Sequence, residues 1–326
     1  MAGPLLDLIG LLKDGSDGAK RFALWSLSLS ISPDNQKTLL EEGVIDPIVA
    51  ALTSDESSAR QQAAAAISRL ALKNPKTQLA LGEKGAITPL IDIVKGGLET
   101  MANDEDEDEG TAKVNKIDVA ARQFAAAALA SLASLKKNGD KMVELGVLEP
   151  LVTLLNKGDN LGKQHASAAL ARLATGSKKT PAALDPSRAL AAIKPLVTLL
   201  DGTCGDGAQE EAAGALFALA DELGNRVAIA NAGGIQPIVT LLGSSNPMSQ
   251  NYAKEVLVRL SIESANRALI IKQLVDMLAE NGSSAQESAC AALANLASDS
   301  AENRGSIVEA GGIAPLLSIL EQNTKA

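Results

Sequence analysis

The stretch from Asn303 to Leu320, NRGSIVEAGGIAPLLSIL, repeats one already met from Asn225 to Leu242, NRVAIANAGGIQPIVTLL. The two lie 78 positions apart and agree at nine of 18 aligned positions. The identities fall on Asn, Arg, Ile, Ala, Gly, Gly, Ile, Pro and Leu, residues that set backbone shape and core. A fixed internal period decides an architecture before any single motif does.

An alanine-rich segment accompanies the repeated stretch, and it recurs seven times. The copies are RFALWSLSLS from Arg21, QQAAAAISRLAL from Gln61, QFAAAALASLAS from Gln123, QHASAALARLAT from Gln164, EEAAGALFALAD from Glu210, NYAKEVLVRLSI from Asn251 and ESACAALANLASD from Glu287. Aligning them on the residue before the final LA or LS puts Ser26, Arg69, Ser131, Arg172, Ala218, Arg259 and Asn295 in one column. The steps between them are 43, 62, 41, 46, 41 and 36. Five lie near the length of a helical repeat, and the long one holds an acidic run, DEDEDE, at Asp104 to Glu109.

Each unit reads as three helices: a short one ending at glycine, a second with proline in its first turn, and a long alanine-rich third. Gly233 and Gly311 stand where a left-handed C-cap is wanted, and Pro237 and Pro315 follow where a missing N–H costs nothing. Ser58 with Gln61, and Ser284 with Glu287, have the spacing of capping boxes. Two units depart from the pattern. One carries Pro181 and Pro186, and the other, ANRALIIKQLVDMLAENG, lacks the glycine turn, which predicts local bends or shortened helices. The ends are out of phase, so residues 1–326 read as one domain of about seven repeats with incomplete terminal units.

Composition agrees with close helical packing. Hydrophobic residues make up 46% of the chain and aromatics only 2%, so the core must be aliphatic. The net charge is −9, of which the acidic run supplies six. A chain without a basic stripe gains no counterion-release affinity for phosphate backbones, which argues against direct nucleic-acid binding. No apolar run reaches the roughly 18 residues of a membrane span, the start lacks a basic leader, and Ala2 does not fit the myristoylation pattern. Cys204 and Cys290 have no CxxC spacing. These features predict a cytoplasmic or nuclear protein, monomeric and without cofactor.

Material for catalysis is scarce: one histidine, one tyrosine, one tryptophan and two separated cysteines. No GxSxG, Walker loop or HExxH is present, and GTCGDG at Gly202 to Gly207 lacks the Lys-Ser/Thr ending of a phosphate loop. The acidic run fails as an EF-hand. With Glu105 at loop position 1, Gly110 falls correctly at 6, but Lys116 occupies position 12, where a bidentate Glu is required. Residues 96–117 read instead as a solvated acidic insert, a disordered loop or a docking segment.

The phrases NR..I.EAGGI.PL..LL and AA.AL.NLA resemble the armadillo repeat family across almost the whole chain. The resemblance implies an all-α fold, a right-handed α-solenoid of three-helix repeats. It also implies a protein-interaction scaffold that binds an extended or helical segment in a concave groove lined by the third helices. Importin-alpha-like relatives hold a basic signal with Trp and, four positions on, Asn. Here that asparagine column is Asn only at Asn295, and the tryptophan positions are Phe22, Ala65, Ala127, Ala168, Gly214, Glu255 and Ala291. Arg69, Arg172 and Arg259 would repel a basic ligand and suit an acidic one. Residues seven earlier share their helical face, which adds Gln62, His165 and Tyr252, with Phe124 and Ser131 in an intervening unit. The alternatives are an adaptor fragment of a nuclear-transport or ubiquitin-ligase protein, and an enzyme on a helical-repeat scaffold such as a bilin lyase.

Repeats that touch only their neighbours make an elongated molecule. Small-angle scattering is expected to give a radius of gyration well above the ~20 Å of a compact globule of this length; a value near 20 Å would contradict the stacked array.

Overall fold

The computed structural model describes residues 3–96, 109–176, 186–279, 284–299 and 301–323. Among them every regular element is a helix, and the chain forms two compact units, Met1–Asp185 and Pro186–Ala326.

The first unit opens with helices α1 (Gly3–Asp14) and α2 (Asp17–Ser30). Three repeats of three helices follow: α3 (Gln36–Glu41), α4 (Ile45–Ala51) and α5 (Ser57–Leu70); α6 (Pro75–Glu83), α7 (Ile87–Lys95) and α8 (Glu109–Ala133); α9 (Lys136–Glu144), α10 (Leu148–Lys157) and α11 (Asn160–Gly176). The second unit contains α12 (Pro186–Leu199) and α13 (Asp206–Leu219), then α14 (Leu223–Asn231), α15 (Ile235–Thr240) and α16 (Pro247–Leu260). It continues with α17 (Ser264–Leu278) and α18 (Ser284–Asp299), and ends with α19 (Ala301–Glu309) and α20 (Ile313–Asn323). A 3-10 turn, Leu241–Gly243, extends α15.

The first and second helices of a repeat are joined by a glycine at positive φ, at Gly43, Gly85, Gly146, Gly233 and Gly311. The next N–H then reaches five residues back, as from Gly234 to the Ile229 carbonyl and from Gly312 to the Ile307 carbonyl, both 2.9 Å, closing the Schellman pattern. The doubled glycines of the opening stretch have separate causes. The first needs its backbone angle, +78° at Gly233 and +80° at Gly311. The second needs space, since a Cβ on Gly234 would lie 2.8 Å from the Ile229 side chain and 3.1 Å from Val197. On Gly312 it would lie 2.9 Å from Ile307 and 3.1 Å from Val275.

Val197 and Val275 belong to the two departing repeats. There the first and second helices fuse into one, α12 and α17, instead of bending or shortening as the sequence predicts. Ala191 stands where Gly233 does, so no left-handed turn interrupts α12, which runs through Pro195. In α17 the turn residues are missing altogether, which accounts for the step of 36.

Three further expectations need correction. The N-cap of α5 is Glu56, without a side-chain cap bond, and Ser58 lies inside the helix. The Glu56 carboxylate is instead held by Arg21 at 2.8 Å. Ser284 is the first residue of α18, and its side chain lies outside the described residues. The insert expected at 96–117 is helical from Glu109, because α8 takes up Thr111, Ala112, Lys113 and Val114 without a proline to stop it. The acidic residues Asp104 to Asp108 lie outside the described residues, as do Pro181 and the rest of 177–185.

The core is aliphatic. Ala63, Ala64 and Ala66 of α5 and Ala125, Ala126 and Ala128 of α8, two third helices that pack together, are fully buried, as are Leu90, Ile91 and Val94 of α7 and Leu151 and Leu154 of α10. The Asn-Arg pairs that begin the repeated stretch cap the preceding third helix. Asn225 donates to the Leu219 carbonyl at 2.9 Å, and Arg226 to those of Ala220 and Asp221. Asn303 donates to Leu296 at 2.7 Å, and Arg304 to Ala297. These bonds satisfy carbonyls that a helix end leaves without partners.

Gly311 and Gly305 separate two effects, since a Cβ at either meets nothing within 4 Å. Gly311→Ala is expected to destabilise by about 1–2 kcal/mol through its left-handed angle. Gly305→Ala, inside α19, is expected to stabilise by about 0.5–1 kcal/mol. Urea unfolding of both variants measures the opposite signs.

Candidate functional site

The third helices carry the candidate surface. In the first unit α2, α5, α8 and α11 stack in order, and in the second α13 packs on α16. Helix α18 packs on α17 and on the 3-10 turn instead of on α16. The aligned column and the residue seven earlier face the preceding third helix. Arg69 donates to the Ser28 carbonyl, and Gln62 accepts from the Ser28 hydroxyl at 2.9 Å. Arg259 lies over the Phe217 ring, 3.9 Å from its centroid, with the Tyr252 ring 5.8 Å from the same residue. Gly214 makes room for Tyr252, since a Cβ there would sit 3.2 Å from its ring.

The predicted residues are thus brought together in pairs: Gln62 with Arg69, and Tyr252 with Arg259. Ser131 donates to the Ser68 carbonyl at 3.4 Å and so braces α8 on α5. Phe124 is half-buried on α8, and Asn295 is exposed on α18. Arg69 and Arg172 belong to the first unit and Arg259 to the second.

The arginines differ in charge environment. Arg259 is 2.9 Å from Asp221 and 3.2 Å from Glu255, and only 23% of its side chain is exposed. Its charge is already neutralised, and an acidic ligand would have to displace both carboxylates. Arg69 is exposed and spends one N–H on a backbone carbonyl. The sequence carried the signal for Glu255, four residues before Arg259, but not for Asp221, which reaches Arg259 from the preceding repeat. It also gave Trp25 no role, yet Trp25 stands in the Phe217 column, one residue ahead of the aligned position.

His165 is half-buried on α11. Burial lowers its pKa first, the Arg172 guanidinium lowers it further, and Asp159, which accepts a hydrogen bond from Gln123, opposes both. Folding therefore favours the neutral imidazole. Among the described residues no three His, Cys, Asp and Glu side chains converge to hold a metal ion, and no helix is long and apolar enough to cross a membrane.

The comparisons agree with this geometry. A family model for the armadillo/beta-catenin-like repeat matches residues 32–72, the span of α3, α4 and α5. No curated protein matches the chain. Similar solved structures include a designed armadillo repeat protein, 25% identical over 78% of this chain and 99% of that one, with a TM-score of 0.63. An engineered protein is 26% identical over 79% and 99%, with a TM-score of 0.64. A second designed armadillo repeat protein, solved in complex with the peptide (KR)4, is 25% identical over 78% and 99%, with a TM-score of 0.62.

A histidine held neutral in the fold makes the unfolded chain bind more protons below its ordinary pKa of about 6.5. That contribution to stability is complete above about pH 6.5 and is lost as pH falls through the lower folded value. Melting temperatures measured from pH 7.5 down to pH 5 should decline less steeply for His165→Gln than for the wild type.

Proposed function

We propose that this armadillo-repeat solenoid is a non-enzymatic scaffold whose third helices bind an extended or helical segment of a partner protein, with acidic residues favoured in that segment. The carrying observation is the stacked face of α2, α5, α8 and α11. Its buried residues are rich in alanine, and it carries Arg69 and Arg172 in the aligned column together with Gln62, Phe124 and His165. Small residues let a partner backbone approach, and guanidinium groups fork onto carboxylates. One solved relative is in complex with a basic peptide, (KR)4. The arginines here oppose a ligand of that charge, so the preferred polarity is reversed. Two free thiols, Cys204 and Cys290, fit a reducing cytoplasmic or nuclear compartment.

Partners captured on the full chain and cross-linked to it should map to the third helices. Arg69→Glu with Arg172→Glu is expected to reduce capture at least tenfold at low ionic strength and to flatten its decline with salt, since exposed charges are screened. Arg259→Glu is expected to matter less because Asp221 and Glu255 already hold that guanidinium. Cross-links away from the third helices, with capture equal for wild type and double variant at both salts, would contradict the proposal.

A further inference from the structure

The arginine–aromatic arrangement at Arg259 is half-built a second time in the first unit. Trp25 precedes the aligned Ser26 as Phe217 precedes Ala218, and Arg69 follows on the next third helix as Arg259 does. Around Phe217 the arrangement is closed: Arg259 covers the ring, Tyr252 packs beside it, and Asp221 and Glu255 neutralise the guanidinium. At the corresponding positions the first unit has Gln62 for Tyr252, Leu29 for Asp221 and Ala65 for Glu255. Both carboxylates and the covering ring are missing.

The consequences appear at the surface. Trp25 is 50% exposed, Phe22 and Leu29 56% each, and Leu72, just beyond α5, 54%. Phe22, Trp25 and Leu29 follow at intervals of three and four along α2, so they form one stripe about 10 Å long. The Phe22 and Trp25 rings pack with centroids 6.2 Å apart. Arg69 is exposed beside them and donates to the Ser28 carbonyl, and no carboxylate among the described residues pairs with it. Exposed tryptophan, phenylalanine and arginine on one face have the composition of an interface hot spot.

We propose that Phe22, Trp25, Leu29, Arg69 and Leu72 form an anchoring site for a polypeptide segment that sets a carboxylate beside an apolar side chain. The carboxylate takes on Arg69 the place that Asp221 and Glu255 take on Arg259. The apolar side chain covers Trp25 as Tyr252 covers Phe217. This site rests on the scaffold reading and deepens it, by naming where on the groove a partner is gripped and by what chemistry.

Trp25 is the sole tryptophan, so its emission reports on this site alone. The full chain is titrated with three 12-residue peptides: one with Leu at every third or fourth position and Glu between, one with Lys replacing Glu, and one with Ser replacing Leu. Trp25 emission is followed with unlabelled peptides and anisotropy with fluorescein-labelled ones. The Leu/Glu peptide is expected to bind saturably, at least tenfold tighter than the other two, and to shift Trp25 emission to the blue. Leu29→Glu and Arg69→Gln should each weaken it at least tenfold, and Arg259→Gln should change it less than twofold. Leu29 is exposed, so Leu29→Glu should keep the wild-type helicity and melting temperature, which separates loss of binding from loss of fold.

Equal affinity for all three peptides, or no binding of the Leu/Glu peptide, overturns the site. So does tight binding that ignores Leu29→Glu and Arg69→Gln and leaves Trp25 emission unmoved. In each case the scaffold reading stands if partner cross-links still fall on the third helices. If they fall elsewhere, it fails with the site.

Discussion

Third helices can stack repeat upon repeat only if their axes come close, and alanine on the contact face sets that distance. Helix α5 packs on α8, and Ala63, Ala64 and Ala66 of the one and Ala125, Ala126 and Ala128 of the other have no accessible surface left. Larger residues there would push the helices apart and open voids in the Leu and Ile layer beneath. Close approach has a second requirement, because each third helix ends with carbonyls that lack intrahelical partners. Asn225, Arg226, Asn303 and Arg304 supply the missing donors from the next helix, so the residues that start one repeat finish the one before. Repeat identity and repeat stacking are therefore the same set of contacts.

The fused helices show what happens when one element of the pattern is removed. A positive-φ glycine turns the chain between first and second helices, and without it α12 and α17 continue straight through. The following repeat adjusts. Gly234 and Gly312 give up their side chains to Val197 and Val275 of the fused helices, so the doubled glycine is a reply to the neighbour as well as a turn. After α17 the third helix α18 packs against the 3-10 turn, where Gly243 allows Ala285 to approach, and the stacking of third helices seen at α13 and α16 is not continued.

The repeat period, the helix order and the glycine turns were legible in the sequence because they are local and are written several times over. The fused helices were half-legible: the missing turn was visible, but its outcome depended on whether the chain could simply continue as helix. Capping at α5 was misread because Glu56 is drawn to Arg21, 35 residues away, and spacing within one helix carries no trace of that pairing. The candidate site was harder still. Arg69, Arg172 and Arg259 form one column in the sequence, yet their surroundings come from the preceding repeat, where Asp221 appears in one case and Leu29 in another.

That contrast bears on how such a chain acquires separate functions at equivalent positions. The backbone presents the same three places, an aromatic, a residue one turn further along the same helix, and an arginine from the next repeat. With Asp at the second place the charge is closed internally, the aromatic is covered, and the set braces α13 against α16. With Leu there, the arginine keeps its charge and the aromatic its exposed face. Closing the charge contributes modestly, since a partly exposed ion pair contributes about 0–1 kcal/mol. A scaffold can therefore leave one set open at little cost to its own stability, because the bond from Arg69 to the Ser28 carbonyl, which ties α5 to the end of α2, forms without the carboxylate or the covering ring.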